Sequence, residues 1–230
     1  MTELPITALA SLLGWGVLVG LDLVSVPQGL LSRPLVAATL AGWIAGDMAA
    51  GMRAGAVLEL FALDVLPVGA SRYPEYGPAA VGAAVLSAGL PQAGGVGIAA
   101  LLGLLVALPA GWTLEWLRHA NARDVHRRTA AISAGSTRAI LDLQWAGLAR
   151  DAMRSLVVTA GALALAMALR DRLGPAVAFP ALLTPVLVGT GAAAAISGAV
   201  RTAGGGRRLA WVGIGLACGM VTAVALAVVT

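Results

Sequence analysis

Long stretches of this sequence carry almost no charge, and that scarcity narrows its possible folds more than any other feature. Only 11% of the 230 residues are charged and 59% are hydrophobic, at a mean hydropathy of +0.90. A soluble domain carries about 25% charged residues. Too few polar side chains remain here to cover a water-facing surface. The fold class that fits is an all-α polytopic membrane protein, with lipid solvating its outside and every backbone polar group in the hydrocarbon paired internally. The same composition excludes an ordinary soluble globular enzyme, a disordered chain and a nucleic-acid-binding protein, despite a pI near 10.5.

The position of the charge explains that pI. All 15 basic residues are arginine. Before residue 118 three arginines (Arg33, Arg53, Arg72) face seven acids. From Arg118 to Arg154 seven arginines face only Asp124, Asp142 and Asp151, and after that five arginines face Asp171. The positive-inside rule places the segment 118–154 in the cytoplasm. The reading at this level is a solvated loop, or else a docking surface for a cytoplasmic partner or anionic headgroups. Trp112, Trp116 and Trp145 lie near its ends, as interfacial aromatics do. On this topology the turn at 170–175 is outside, the turn at 201–208 is inside and the run 209–229 ends outside.

The chain reads as one membrane-embedded unit, 1–230, in three parts: 1–111 with a polar cluster, the basic segment 112–154, and the spans of 155–230. Residues 4–21 form an apolar run with no basic residue before it, so it reads as a retained membrane segment and not a signal peptide. Residues 35–70 are apolar but interrupted by glycines, Asp47, Arg53, Glu59, Asp64 and Pro67, which suits broken or re-entrant helices lining a protein-enclosed cavity. Residues 72–78 form a loop by their Pro and Gly content. The run 79–111, with Pro91 and Gly94-Gly95 in its middle, is too long for one span and reads as a hairpin of two. A helix follows over 112–128, and 155–169, 176–200 and 209–229 are further apolar segments. That makes about seven or eight embedded segments, some of them broken or re-entrant.

Ionisable groups inside a membrane are costly, so their positions point to function. They gather in the first third: Asp22, Arg33, Asp47, Glu59, Asp64 and Glu75, with the amide Gln28 among them. Glu59 stands out, flanked by apolar residues and glycine on both sides. Its carboxylate is either a ligand group or one half of a structural pair with Arg33 or Arg53. Asp22, Ser25 and Gln28 recur every three residues at the end of the first span, and carboxylates and amides suit sugar hydroxyls because they accept and donate at short range. Ser25 and Gln28 are also ordinary turn residues. Asp47 could cap a helix starting near Met48, and Arg33-Pro34 looks like a helix start. Trp15 and Trp43 could stack on a sugar face or simply pack. Nothing here resembles a soluble catalytic constellation. The chain has no lysine for a Walker motif, Gly204-Gly-Gly206 is isolated, Cys218 is alone, and His119 and His126 are too few for a metal cluster. No metal or cofactor is implied.

The string Ser32-Arg-Pro-Leu-Val-Ala-Ala-Thr-Leu-Ala-Gly-Trp-Ile-Ala-Gly-Asp47 resembles a signature of the enzyme IIC subunit in the mannose/sorbose class of bacterial sugar phosphotransferase systems. Gly51 and Gly55 with Leu58-Glu59-Leu60, then Gly69-Ala70 and Pro74-Glu75, resemble the elements that follow. Arg118-His-Ala120 and Ala152-Met-Arg154 match the polar middle segment more loosely. The resemblance implies a non-catalytic permease subunit in the cytoplasmic (inner) membrane that forms the sugar pathway with a IID membrane subunit, as part of a homo-oligomer. A cytoplasmic IIB phosphohistidine, recharged by IIA and phosphoenolpyruvate-fed carriers, would phosphorylate the sugar. The expected substrate-binding residues are Glu59, Asp22, Gln28, Asp47, Asp64 and Arg33. Two other readings stay open: a stand-alone secondary transporter, and a degenerate IIC scaffold that senses or regulates.

Overall fold

The computed structural model describes residues 4–26, 28–65, 72–90, 92–173 and 182–203. Among these the chain is helical throughout, with no strand. Pro27, Pro67, Gly69-Ala70, Pro91, Pro180, Gly204–Gly206, Cys218 and the run 209–229 lie outside the described residues.

Helix α1 (Ile6–Val24) has 19 residues, about 28 Å at 1.5 Å per residue, which matches a hydrocarbon core of about 30 Å. Its buried side carries Leu12, Gly16, Val19 and Gly20. The glycines let it press against a later helix, α7 (Thr137–Leu173): a Cβ on Gly16 would strike Thr159, and one on Gly20 would strike Ser155. Small residues at such spacing drive helix association where lipid removes the hydrophobic incentive.

The interrupted stretch folds as a short antiparallel hairpin. Helix α2 (Pro34–Ala45) starts with Pro34 at a position that needs no backbone N–H, and α3 is Met48–Ala62. The two have 12 and 15 residues, about 18 and 22 Å, so neither reaches across the hydrocarbon alone. Gly46 closes α2 with φ of 94°, a conformation that disfavours any side chain. Gly42 and Gly51 then cross so closely that a Cβ on either would lie 2.8 Å from the other's Cα. This is the re-entrant geometry that the glycines and charges of 35–70 suggest.

Helix α4 (Tyr76–Gly89) is buried almost all round, with Ala79, Ala80, Val81, Ala83 and Ala84 at its centre. It packs against α1, α2, α3, α5 (Gln92–Arg127) and α7, and so forms the middle of the bundle. Helix α4 ends at Gly89 and α5, which packs against it, begins at Gln92, the hairpin expected of 79–111. Helix α6 (Thr129–Ser133) is one short turn, and α8 (Leu183–Ala203) packs on α3 and α5. Among the described residues three helices are long and apolar enough to cross a membrane, Ile6–Val24, Gly95–Arg127 and Thr137–Leu173; Pro34–Ala45 and Leu183–Gly198 are shorter apolar helices.

The basic segment departs from expectation. It is not a loop, and 112–128 is not a separate helix. Helix α5 runs unbroken for 36 residues and α7 for 37, about 54 and 55 Å, which exceeds a bilayer core by more than 20 Å. Between them only Arg128 and the stretch around Gly135, at φ of 76°, interrupt the helical backbone. The reason is local: 112–127 and 137–154 contain no Pro and only Gly147 as an interior glycine, so nothing stops propagation. Two charged residues expected in solvent, Asp151 and Arg154, are buried instead.

Candidate functional site

Two groups of polar side chains occupy the end of the bundle where α1 ends and the hairpin begins. The first lines a cavity of about 150 Å³, the scale of one small ring, since an apolar cavity of about that size holds benzene. Its walls come from the turn after α1 (Gln28, Ser32, Arg33), the end of α3 (Ala62, Val65) and the strap that leads into α4 (Tyr73, Tyr76).

Buried Asp22 shapes that turn. One carboxylate oxygen accepts the Gly29 N–H at 2.5 Å and the other accepts the Ser32 N–H at 2.9 Å. Between these bonds Leu30 is held at φ of 63°, a left-handed conformation rare for a residue with a side chain. Gln28 donates from Nε2 to the Leu23 carbonyl at 3.0 Å. The turn is thus fixed by its own polar side chains, with Asp22 behind it and Gln28 at the cavity.

Arg33 donates from Nε to Glu59 Oε1 at 2.6 Å, and its Nη2 contacts the same oxygen. The other Glu59 oxygen accepts the Leu35 N–H at 3.1 Å, serving a donor of the first turn of α2. Of the two partners open in the sequence, Arg33 meets Glu59. The pair is only part-buried, with side-chain exposures of 34% and 18%. Arg33 lines the cavity while Glu59 holds it from behind.

The other two expected site residues, Asp47 and Asp64, are not in the cavity lining. Asp47 caps α3 by accepting the Ala50 N–H at 2.8 Å; it sits at the hairpin tip, about 20 Å away along the helices. Asp64 packs beside Gly198 of α8, whose added Cβ would lie 2.6 Å from Asp64 Oδ1. Trp15 donates to the Ala37 carbonyl at 2.9 Å and Trp43 is exposed, so neither faces the cavity.

The second group is a buried network. Arg154 grips Glu75 with both terminal nitrogens, Nη2 reaching Oε1 at 2.9 Å, and holds Asp151 Oδ1 from Nε at 2.9 Å and from Nη2 at 2.8 Å. Ser25 donates its hydroxyl to the other Asp151 oxygen, and Thr113 and Ser155 lie within hydrogen-bond reach of the guanidinium at 3.3 and 3.2 Å. Four parts of the chain are tied there: the end of α1, the strap before α4, α5 and α7. The Glu75 N–H also bonds the Ala107 carbonyl at 2.9 Å, laying the strap along α5 near Pro109.

Sequence reasoning missed the network because it took 118–154 as one solvated block. The signal was present in the spacing. Asp151, Ser155, Thr159, Ala162 and Ala166 recur at three or four residues, a small and polar stripe on one face of a helix, with Arg154 beside it. The tyrosines of the cavity were passed over as loop residues. Outside, Arg118 stacks over the Tyr73 ring at 4.9 Å and Arg72 pairs with Glu115 at 2.7 Å. That hydrogen bond and the adjacent negative charge raise the Arg72 pKa above its ordinary value.

This geometry defines a polytopic helical membrane protein with a re-entrant hairpin and a polar cavity at its mouth. Residues 6–230 match the family described as PTS system sorbose-specific IIC component, and the chain belongs to that family. It is 32% identical over 133 residues to the fructose permease IIC component of Bacillus subtilis (strain 168), a stretch covering 57% of this chain and 48% of that protein. It is 40% identical over 77 residues to the PTS system sorbose-specific EIIC component of Klebsiella pneumoniae, covering 34% of this chain and 27% of that protein. The match thus spans at most about half of either relative. A solved structure described as "Structure of membrane protein" superposes with a TM-score of 0.77 at 20% identity, over 98% of this chain and 96% of the other. The chain is therefore a member of the sorbose-specific IIC family with the fold of a known membrane protein.

Proposed function

We propose that this chain forms the sugar-binding translocation pathway of a phosphoenolpyruvate-dependent phosphotransferase system together with a IID subunit, within a homo-oligomer in the bacterial inner membrane. It performs no phosphoryl chemistry itself: a phosphohistidine on cytoplasmic IIB, recharged by IIA, phosphorylates the sugar as it arrives. Carrying this reading is the convergence of Gln28 and Arg33, with Glu59 holding Arg33 from behind, at one ring-sized cavity at the mouth of a re-entrant hairpin. Arg33 donates to sugar hydroxyls, Gln28 both donates and accepts, Glu59 supplies the countercharge and its accessible oxygen surface, and Asp22 keeps the turn in shape. The tyrosine walls supply apolar faces for the ring. Both relatives are named for six-carbon ketoses, so fructose and sorbose are the first sugars to try.

The arm made by the ends of α5 and α7 lies on the cytoplasmic side in this reading, as its arginine excess requires. The cavity opens at the same end, where IIB can reach the sugar. The test is uptake and phosphorylation of fructose and sorbose by cells expressing this chain with its IID and IIB partners. Accumulation of phosphorylated sugar only when all three are present is the expected result. Full transport by this chain alone in liposomes would refute it. Orientation is checked separately: Arg127→Cys, in a chain lacking Cys218, should react with impermeant thiol reagents only from the cytoplasmic side.

A further inference from the structure

The hairpin has a second polar cavity at its other end. About 420 Å³ in volume, it lies where α1 begins, α2 turns into α3 and α7 ends, with Pro5, Gly46, Asp47, Ala88 and Arg170 among its walls. Between this cavity and the Arg33 cavity stand the buried alanines of α2, α3 and α4, including Ala38, Ala54, Ala80 and Ala84, packed without exposed surface. The two openings are therefore about 20 Å apart along the hairpin, on opposite sides of a dry layer.

The far cavity is built for a polar but uncharged guest. Among the described residues its walls offer one carboxylate and one guanidinium. It also gathers helix ends: the first turn of α1, which has no side-chain cap, and the closing turns of α2 and α4. Such ends carry backbone N–H and C=O groups with no partner inside their own helix. Asp47 uses Oδ1 to cap α3, and the Arg170 side chain lies across Gly89, which has no side chain to obstruct it. Donors and acceptors of both signs around a space larger than one small ring suit a polyhydroxylated solute better than an ion or a lipid chain.

We propose that this cavity is a second binding site for the transported sugar, on the opposite side of the membrane from the Arg33 cavity. The proposal rests on the sugar-permease reading and adds where the sugar first docks. It assigns Asp47 and Arg170 to recognition there, apart from Gln28, Arg33 and Glu59.

The test uses the full chain, assembled with IID and lacking Cys218, with Ala88→Cys as a reporter in the cavity wall. Fructose and sorbose are the probes. Labelling of Ala88→Cys by an impermeant thiol reagent should occur only from the face opposite Arg127→Cys, and at least one of the two sugars should slow it. Adding Glu59→Gln should leave that protection in place. Adding Asp47→Asn, which keeps an oxygen to cap α3, or Arg170→Gln should weaken protection by about 10-fold or more, while sugar binding at the Arg33 cavity persists. Glu59-dependent sugar binding without any protection of Ala88→Cys would overturn the second site and leave the permease reading standing. Labelling from the same face as Arg127→Cys would also overturn it. Binding of neither sugar anywhere would defeat the permease reading, and the second site with it.

Discussion

Two arginine–carboxylate clusters built from the same chemistry sit close together in this protein, and their surroundings differ. Arg33 and Glu59 remain 34% and 18% exposed, Arg33 at the wall of a cavity and Glu59 behind it. Arg154 and Glu75 are 3% and 0% exposed, and Asp151 is likewise 0%. In the first, one carboxylate meets one guanidinium and the surface of both stays partly open. In the second, two carboxylates and two hydroxyl groups surround one guanidinium, a third hydroxyl holds Asp151, and four segments of chain converge there. A pair that keeps open surface can exchange partners with a ligand. A buried network cannot do so without exposing charge to hydrocarbon, so it serves to hold the elements in register.

That contrast is broken most sharply at Arg154. Arg154→Met removes the cation that pairs with both buried carboxylates, and losing one partner of a buried pair costs about 3–5 kcal/mol. We expect low membrane abundance and loss of assembly, read by membrane immunoblot and by thermal unfolding of the purified protein. A variant that accumulates and binds sugar at normal levels would show that the network is dispensable. Glu59→Gln is the second strongest change and acts in a different place. It keeps an acceptor for the Leu35 N–H but loses the charge, so sugar affinity should fall by about 10- to 150-fold, the equivalent of 1.5–3 kcal/mol. Stability should move by less than about 1 kcal/mol, because the pair is part-exposed. Calorimetric sugar binding measured beside thermal unfolding separates the two effects. Normal affinity in a well-assembled Glu59→Gln protein would remove Glu59 from the site.

How much of this was legible without coordinates follows the range of each interaction. Local rules served well. Pro34 at the start of α2, Asp47 as the cap of α3 and the break between α4 and α5 depend on neighbours a few residues away. The short lengths of α2 and α3 were visible as charges and glycines spaced too densely for a lipid-facing span. Partners distant in sequence were harder. That Glu59 would meet Arg33 was one of two options, and Glu75 with Arg154, 79 residues apart, was not anticipated. The largest misreading, 118–154 as a solvated loop, came from treating charge as a property of a segment. Burial belongs to one face of a helix, and Asp151 and Arg154 share the α7 face that packs inward while Arg138 and Trp145 remain outside.

Asp22 sharpens the comparison, because it is buried yet serves the open site. Its two oxygens take two backbone N–H groups, and Asn in its place offers one acceptor and one group that must turn a donor toward a donor. Asp22→Asn should loosen the turn and weaken sugar affinity by about 2- to 12-fold, less than Glu59→Gln, since it acts through the shape of the turn. Gln28→Ala should fall in the same range by losing one hydrogen-bonding partner directly. The two are told apart by temperature: a loosened turn should lose affinity more steeply on warming, whereas a missing contact should weaken binding by a similar factor throughout. Equal temperature dependence would make Asp22 a direct ligand group.

The smallest effect is expected at an arginine–carboxylate pair that is more exposed than either of the two clusters. Arg72 and Glu115 meet at 2.7 Å, but their side chains are 60% and 33% exposed. Water screens their attraction, salt screens it further over a Debye length of about 8 Å, and two flexible side chains must be immobilised to make the contact. The raised pKa of Arg72 adds no pH dependence near neutrality, because an arginine is charged there in any setting. Arg72→Gln should therefore leave membrane abundance, thermal unfolding and sugar affinity unchanged within measurement error at 0.15 M salt. Tyr73 next to it keeps its own hold on α5 through Arg118, and Glu75 keeps the buried one. Should Arg72→Gln weaken sugar binding as much as Asp22→Asn does, the strap that walls the cavity must depend on its exposed end. Burial would then no longer separate the pairs that hold this fold from those that serve its ligand.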